Sequence, residues 1–130
     1  MGFDQYHEPP EELPAETRTF ARLCASLTEE AEAIGWYEQR LAVEPNPLAR
    51  AVMQNAVGEE FKHFSMDLEF LLRQKPEWRE IARGILFKQG DIVEHGEEAE
   101  AAADGDDATL DPPPAFSSSL GIGSLRGRRQ

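Results

Sequence analysis

Two long segments with helical periodicity meet at a break that contains two prolines, and this break favours a folded-back pair of helices. The break is Val43-Glu44-Pro45-Asn46-Pro47. Proline interrupts a helix interior, whereas Asn46 followed by Pro47 is a favourable N-cap and first helical residue. We therefore predict one helix over residues 14–43 and a second, antiparallel to it, over residues 47–75.

A stripe of large apolar side chains runs along the first predicted helix. Its members follow alternating spacings of three and four residues, as in a packed helical bundle: Phe20, Leu23, Leu27, Glu30, Ile34, Tyr37 and Leu41. The one carboxylate, Glu30, is costly on such a seam unless it is paired or binds a metal. The alternative is a seam that rotates away from the core near Glu30, but the stripe resumes in register at Ile34.

One residue of the second helix lies at the same height as Glu30, and another lies about one turn further along. Glu30 lies fifteen residues before Pro45 and Glu60 fifteen after it, so both sit about 22 Å from the turn. His63 follows Glu60 by three residues and shares its helix face. Two carboxylates and an imidazole suit a first-row transition metal such as iron or manganese. We predict that Glu30, Glu60 and His63 are metal ligands; the commoner alternative for a single histidine is a hydrogen-bonded core residue.

Two further acids lie within one helical turn of His63. Glu59 and Asp67 are each four residues from it. Either side chain could orient the second ring nitrogen of His63, and the alternative is that both are solvated.

The proposed ligands form only half of a di-iron site. Bundle sites of this kind use a Glu from each of two helices and a Glu-x-x-His pair from each of two others. Two chains related by a two-fold axis would complete that set, and four carboxylates would balance two Fe²⁺ ions. We predict an all-α fold: an antiparallel two-helix hairpin plus a short third helix over residues 76–87, completing a four-helix bundle only on dimerisation.

The composition narrows the classes of partner. A net charge of −12 argues against nucleic acid and favours a cation or a basic surface. The single cysteine, Cys24, excludes an intrachain disulfide and fits a reducing cytoplasm. The sequence has no apolar run of membrane-spanning length and no signal peptide, so we expect a cytoplasmic protein with no membrane partner.

The chain divides into four predicted parts: an extended N-terminal arm (1–13), the helical domain (14–95), a disordered linker (96–119) and a terminal peptide (120–130). Residues 97–119 hold seven acidic side chains and no Lys or Arg, followed by prolines and serines. In the terminal peptide, Leu120, Ile122 and Leu125 alternate with glycines, which is typical of a docking motif on a tether. The alternative for this peptide is a frayed terminus.

Five short stretches between residues 7 and 90 form a specific combination: His7-Glu8-Pro9, Glu29-Glu30-Ala31-Glu32-Ala33, Trp36-Tyr37-Glu38-Gln39-Arg40, Glu59-Glu60-Phe61-Lys62-His63 and Leu86-Phe87. With these stretches the chain resembles the encapsulated ferritins, the ferritin-like cargo proteins of encapsulin nanocompartments. The peptide LGIGSLR at residues 120–126 is separately similar to an encapsulin cargo-loading peptide.

The resemblance implies a ferritin-like fold and a ferroxidase that oxidises Fe²⁺ at a di-iron centre shared by two subunits. Glu30, Glu60 and His63 match its ligands, and Tyr37 with Trp36 matches aromatic residues beside it. Glu29 and Glu32 match an outer acidic site for a second divalent cation. The resemblance also implies a ring of five dimers, loaded into an encapsulin shell through Leu120, Ile122 and Leu125.

Two other functions are compatible with these residues. The protein could be a non-catalytic metal-binding cargo or carrier of the shell, or a passive helical scaffold recruited by its terminal peptide. Oxygen consumption with Fe²⁺ distinguishes a ferroxidase from a non-catalytic carrier. Metal content after substitution of Glu30 or His63 distinguishes a metal-binding protein from a passive scaffold.

Overall fold

The computed structural model describes residues 6–107, and residues 1–5 and 108–130 lie outside the described part. Four α-helices make up most of this part: α1 (Ala15–Val43), α2 (Pro47–Gln74), α3 (Pro76–Ile85) and α4 (Ile92–Asp107). The prediction of an all-α fold is confirmed, and the observed bounds of α1 and α2 differ from the predicted ones by a single residue at one end each.

The α1–α2 turn is closed by side chains that bind the free backbone groups of both helix ends. The side chain of Asn46 accepts hydrogen bonds from the amides of Leu48 and Ala49, at 2.9 and 3.1 Å, and so caps α2. The Arg50 guanidinium donates to the carbonyl groups of Leu41 and Glu44 at the end of α1. These contacts fix the register in which the two helices run back along each other.

The two long helices bury a narrow core along the predicted seam. All seven members of the α1 stripe are partly buried, while Glu29 and Glu32 beside them are exposed. Only a few residues of α1 and α2 are more deeply buried. Leu71 of α2 is the most enclosed, with 0% exposure. A single hairpin therefore leaves much of its apolar surface in contact with solvent.

The third and fourth helices form a second hairpin that packs more extensively on itself than on α2. Gly84 of α3 lies against Ala99 of α4 so closely that a Cβ on Gly84 would overlap the Ala99 Cβ atom. The Asp91 carboxylate caps α4 by accepting from the amides of Val93 and Glu94, at 2.8 and 3.0 Å. Small residues thus allow close contact between two short helices.

Helix α4 corrects the predicted boundary between domain and linker. The sequence predicts a disordered linker from residue 96, but residues 96–107 are helical and Ala99 is buried against α3. Acidic composition alone did not prevent helix formation, because alanine has a high helix propensity and this segment contains no proline. The remainder of the predicted linker and the terminal peptide (120–130) lie outside the described residues.

The described part of the predicted arm (1–13) is mainly irregular, with one 3-10 turn at Pro10–Glu12. Among residues 6–107, no helix is both long enough and apolar enough to cross a membrane. Completion of the four-helix bundle by a second copy stays a prediction.

Candidate metal centre

The α1–α2 hairpin brings three potential ligands together near its middle. One ligand atom each from Glu30, Glu60 and His63 lies within 4.8 Å of the other two. Glu30 projects from α1, whereas Glu60 and His63 project together from α2, three residues apart. Equal distance from the turn places Glu30 beside Glu60, as the sequence predicted, and His63 joins them from the next turn of α2.

The two carboxyl groups of this cluster lie close together, with one oxygen atom of each within 4.8 Å of the other. The Glu60 carboxylate accepts a hydrogen bond from the protonated form of Glu30 and stabilises that form. Together with desolvation and the negative charges nearby, this raises the pKa of Glu30 to about 7. The same hydrogen bond, with that from His63, lowers the pKa of Glu60. Without a metal, the two acids therefore share one proton near neutral pH.

The histidine completes a donor set of two oxygens and one nitrogen. Its Nδ1 atom lies 3.4 Å from Oε2 of Glu60. The His63 side chain is 46% exposed and that of Glu60 is 21% exposed, so the cluster opens to one side of the hairpin. Carboxylates with imidazole suit iron, manganese and similar ions, and a metal at this position would displace the shared proton.

The other predicted site residues do not join this cluster within one chain. Glu29 and Glu32 are exposed on α1. Tyr37 is seven residues from Glu30, about 10.5 Å further along the helix axis. Its ring packs under the Arg40 guanidinium, whose central carbon is 5.3 Å from the ring centroid.

The acids on either side of His63 differ in their surroundings. Glu59 is exposed and forms an ion pair with Lys62, which fits the solvated alternative for this residue. Asp67 is partly buried, and its negative charge contributes to the raised pKa of Glu30. Sequence reasoning considered Asp67 only as a partner of His63 and missed its effect on Glu30. The three- and four-residue spacing of Glu60, His63 and Asp67 was the available signal.

A comparison with protein families matches the part of the chain that contains the first three helices. A model of the EncFtn-like family matches residues 5–89. The chain belongs to the EncFtn-like family. The match includes α1, α2 and α3, and it ends before α4 begins. All three members of the carboxylate–imidazole cluster thus lie in the part that this EncFtn-like chain shares with its family.

Individual relatives support the same assignment. The chain is 40% identical over 101 residues to a ferritin-like protein of Thermotoga maritima, covering 78% of this chain and 89% of that protein. It is 39% identical over 123 residues to an encapsulated ferritin-like protein of Rhodospirillum rubrum, covering 93% and 87% respectively. The resemblance to encapsulated ferritins is therefore confirmed.

A solved structure shows the same fold. Protein ne0167 from Nitrosomonas europaea superimposes with a TM-score of 0.67 at 34% identity. The match covers 99% of that chain but 69% of this one. The present EncFtn-like chain therefore extends beyond the fold that the two proteins share.

Proposed function

We propose that the protein is a ferroxidase that oxidises Fe²⁺ to Fe³⁺ at a di-iron centre formed between two subunits. The observation that carries this proposal is the convergence of Glu30, Glu60 and His63 within 4.8 Å, in a chain of the EncFtn-like family. The name of the Rhodospirillum rubrum relative supports a setting inside an encapsulin shell, where the oxidised iron would be stored.

The centre is proposed to be shared because one chain supplies too few ligands for two metal ions. A two-fold axis beside the cluster would bring together four carboxylates and two imidazoles, a set known from bundle di-iron proteins. The exposed side of His63 supports such an arrangement, because it leaves the imidazole accessible to a metal held jointly with a second chain.

The apolar surface of the hairpin supports dimerisation independently. Trp36 and Phe61, on α1 and α2, are 52% and 51% exposed, and Met66 is 63% exposed. Burying a large apolar side chain contributes roughly 1.5–3 kcal/mol. A second hairpin packed here would supply the core that the single chain lacks.

The reaction needs an oxidant, which we propose is dioxygen. Two Fe²⁺ ions each lose one electron, and one O₂ accepts both electrons with two protons, giving two Fe³⁺ and one H₂O₂. Holding two irons close together lets one oxygen molecule take both electrons in a single encounter. The carboxylates stabilise the higher charge of the product, and the proton released from Glu30 leaves when iron binds.

The remaining predicted site residues are assigned supporting roles. Glu29 and Glu32 would attract Fe²⁺, or hold a second divalent cation, on the outer face of α1. Tyr37 would either hydrogen-bond a ligand of the centre or donate an electron during oxidation. The role of Tyr37 requires the second subunit, because within one chain Tyr37 stays apart from the cluster.

The terminal peptide is proposed to attach the protein to the shell. Leu120, Ile122 and Leu125 would insert into an apolar groove on the inner wall of the shell, and the intervening glycines would allow close backbone approach. A pentamer of dimers would carry ten such peptides, and their combined attachment would be much stronger than that of one. The proposed location is therefore cytoplasmic, inside an encapsulin nanocompartment.

Oxygen consumption on addition of Fe²⁺ tests the proposed activity. The unmodified protein should consume O₂, and Glu60→Ala and His63→Ala should reduce the rate to that of free iron in buffer. Glu59→Ala is the matched control, since Glu59 is exposed and adjacent but lies outside the cluster. Metal binding without O₂ consumption by the unmodified protein would instead indicate a carrier. Wild-type rates in both cluster variants would contradict the ligand assignment.

A further inference from the structure

A third carboxylate of α2 continues the row formed by two of the proposed ligands. Asp67 follows His63 by four residues and Glu60 by seven, so all three lie on one face of the helix. Its side chain is partly buried, and Leu71, one turn further, is completely buried. Asp67 therefore lies between the cluster and the apolar core.

The surroundings of Asp67 differ from those of most other acids on α2. Glu59 pairs with Lys62, and Glu69 pairs with Arg73 at 3.0 Å. Asp67 takes part in none of the ion pairs that the described residues form. A carboxylate withdrawn from water is unfavourable when no positive charge compensates it. A cation bound at the neighbouring cluster would provide that compensation.

The electrostatic reach of Asp67 extends to the cluster. Its position on α2 places its negative charge one helical turn from His63 and on the same helix face. By contrast, Asp67 makes no hydrogen bond to His63 in the described structure. An effect through space, rather than orientation of the imidazole, is therefore the role that fits.

We propose that Asp67 tunes the iron centre without binding it, by favouring Fe³⁺ over Fe²⁺ through its negative charge. This inference rests on the proposed function of the cluster. Four ligand carboxylates balance two Fe²⁺ ions, and the two Asp67 carboxylates of a dimer raise the total to six negative charges, which balances two Fe³⁺ ions. Asp67 would thus compensate the additional positive charge that oxidation creates.

Redox-inert ions of different charge test the proposal without any turnover. Affinities for Zn²⁺ and Ga³⁺ would be measured on the full chain by competition with a chelator. Asp67→Asn removes one negative charge with little change in shape, and Asp67→Gln is a second neutral variant with higher helix propensity. Glu69→Gln is the matched control, because it removes one charge from an exposed position of the same helix. Asp67→Glu retains the charge.

The expected result depends on the charge of the bound ion. In both neutral Asp67 variants, the affinity for Ga³⁺ should fall more than the affinity for Zn²⁺. The ratio of the two losses should be on the order of ten. The reduction potential of protein-bound iron should rise correspondingly, by about 59 mV for a tenfold change in a one-electron couple. Glu69→Gln and Asp67→Glu should leave both quantities close to those of the unmodified protein.

Two results would overturn this role for Asp67. Equal losses of Zn²⁺ and Ga³⁺ affinity would make Asp67 a ligand or a packing residue. Neutral variants that match Glu69→Gln would show that its charge has no special effect. If the unmodified protein binds Fe²⁺ but consumes no O₂, the proposed ferroxidase activity fails, while the comparison of the two inert ions still decides the role of Asp67.

Discussion

Glu30 of α1 and Glu60 of α2 bring carboxyl oxygens within 4.8 Å of each other across the hairpin. Hydrogen bonding to Glu60, together with desolvation and nearby negative charge, raises the pKa of Glu30 to about 7. Two carboxyl groups that share a proton form a site prepared for a cation, because a bound metal replaces the proton and relieves the repulsion between the acids. The hairpin therefore holds close together the two oxygen ligands that the proposed centre requires.

Metal binding should release this proton and should weaken as the pH falls below about 7. Above the pKa of Glu30 the site is already deprotonated, whereas below it each pH unit should lower the affinity by about tenfold. Zn²⁺ titration in weakly buffered solution would measure both the affinity and the released proton. His63→Ala at higher Zn²⁺ concentration is the control and should still release a proton, because that proton belongs to the two carboxyl groups. An affinity that stays constant across pH 7 would be inconsistent with the shared proton.

Iron should strengthen the association of two chains, since each chain is proposed to hold half of the ligands. If Fe²⁺ binds the dimer alone, a hundredfold excess over the dissociation constant stabilises the dimer by about 2.7 kcal/mol. Native mass spectrometry under anaerobic conditions, at a concentration where monomer is visible, would follow the shift. Glu60→Ala should abolish the iron-dependent part of the shift. An unchanged distribution of the unmodified protein would argue against shared half-sites.

The contact between α3 and α4 should be sensitive to a single methyl group. Gly84→Ala places a Cβ atom into Ala99, and overpacking of this kind typically costs about 1–3 kcal/mol. Hydrogen exchange of the α4 amides should therefore become faster. Gly105→Ala, in α4 with open space around it, is the control and should slow exchange through higher helix propensity, by up to about 1 kcal/mol. Equal protection in both variants would mean that α4 does not pack on α3 through this contact.

Loading into the shell and oxidation of iron should be separable. Deleting residues 120–130 should abolish incorporation into co-expressed encapsulin particles, because Leu120, Ile122 and Leu125 are removed. The same truncated protein should oxidise Fe²⁺ at the unmodified rate, since the cluster lies far upstream in α1 and α2. Purified particles assayed for cargo provide the measurement. Normal loading of the truncated protein would show that another segment binds the shell.

The sequence predicted the first hairpin well because its signals are local and strong. Asn46 and Pro47 mark the start of α2, and the apolar stripe of α1 identifies the buried face. Equal spacing from the turn was sufficient to bring Glu30 and Glu60 together, since two straight helices joined by a short turn keep a fixed register. The shared proton depends on the distance between the two acids and on their desolvation, which helical spacing alone does not give.

Helix α4 was missed because its packing depends on small side chains that contribute little to hydrophobic periodicity. Gly84 and Ala99 allow close contact without large apolar residues. The useful signal was Asp91 followed three residues later by Glu94, the pattern of a helix N-terminus. The prediction of a linker rested on the acidic composition of the segment and did not use this signal.

Anaerobic loading with Fe²⁺, followed by exposure to air, tests the central claim most directly. Iron would be counted per dimer before oxygen is admitted, and the rise of ferric absorbance would be followed afterwards. We predict two irons bound per dimer and rapid oxidation of both, with Glu60→Ala binding fewer and oxidising at the rate of free iron. Fewer than two irons per dimer, or bound iron that stays ferrous in air, would contradict a di-iron ferroxidase centre at Glu30, Glu60 and His63.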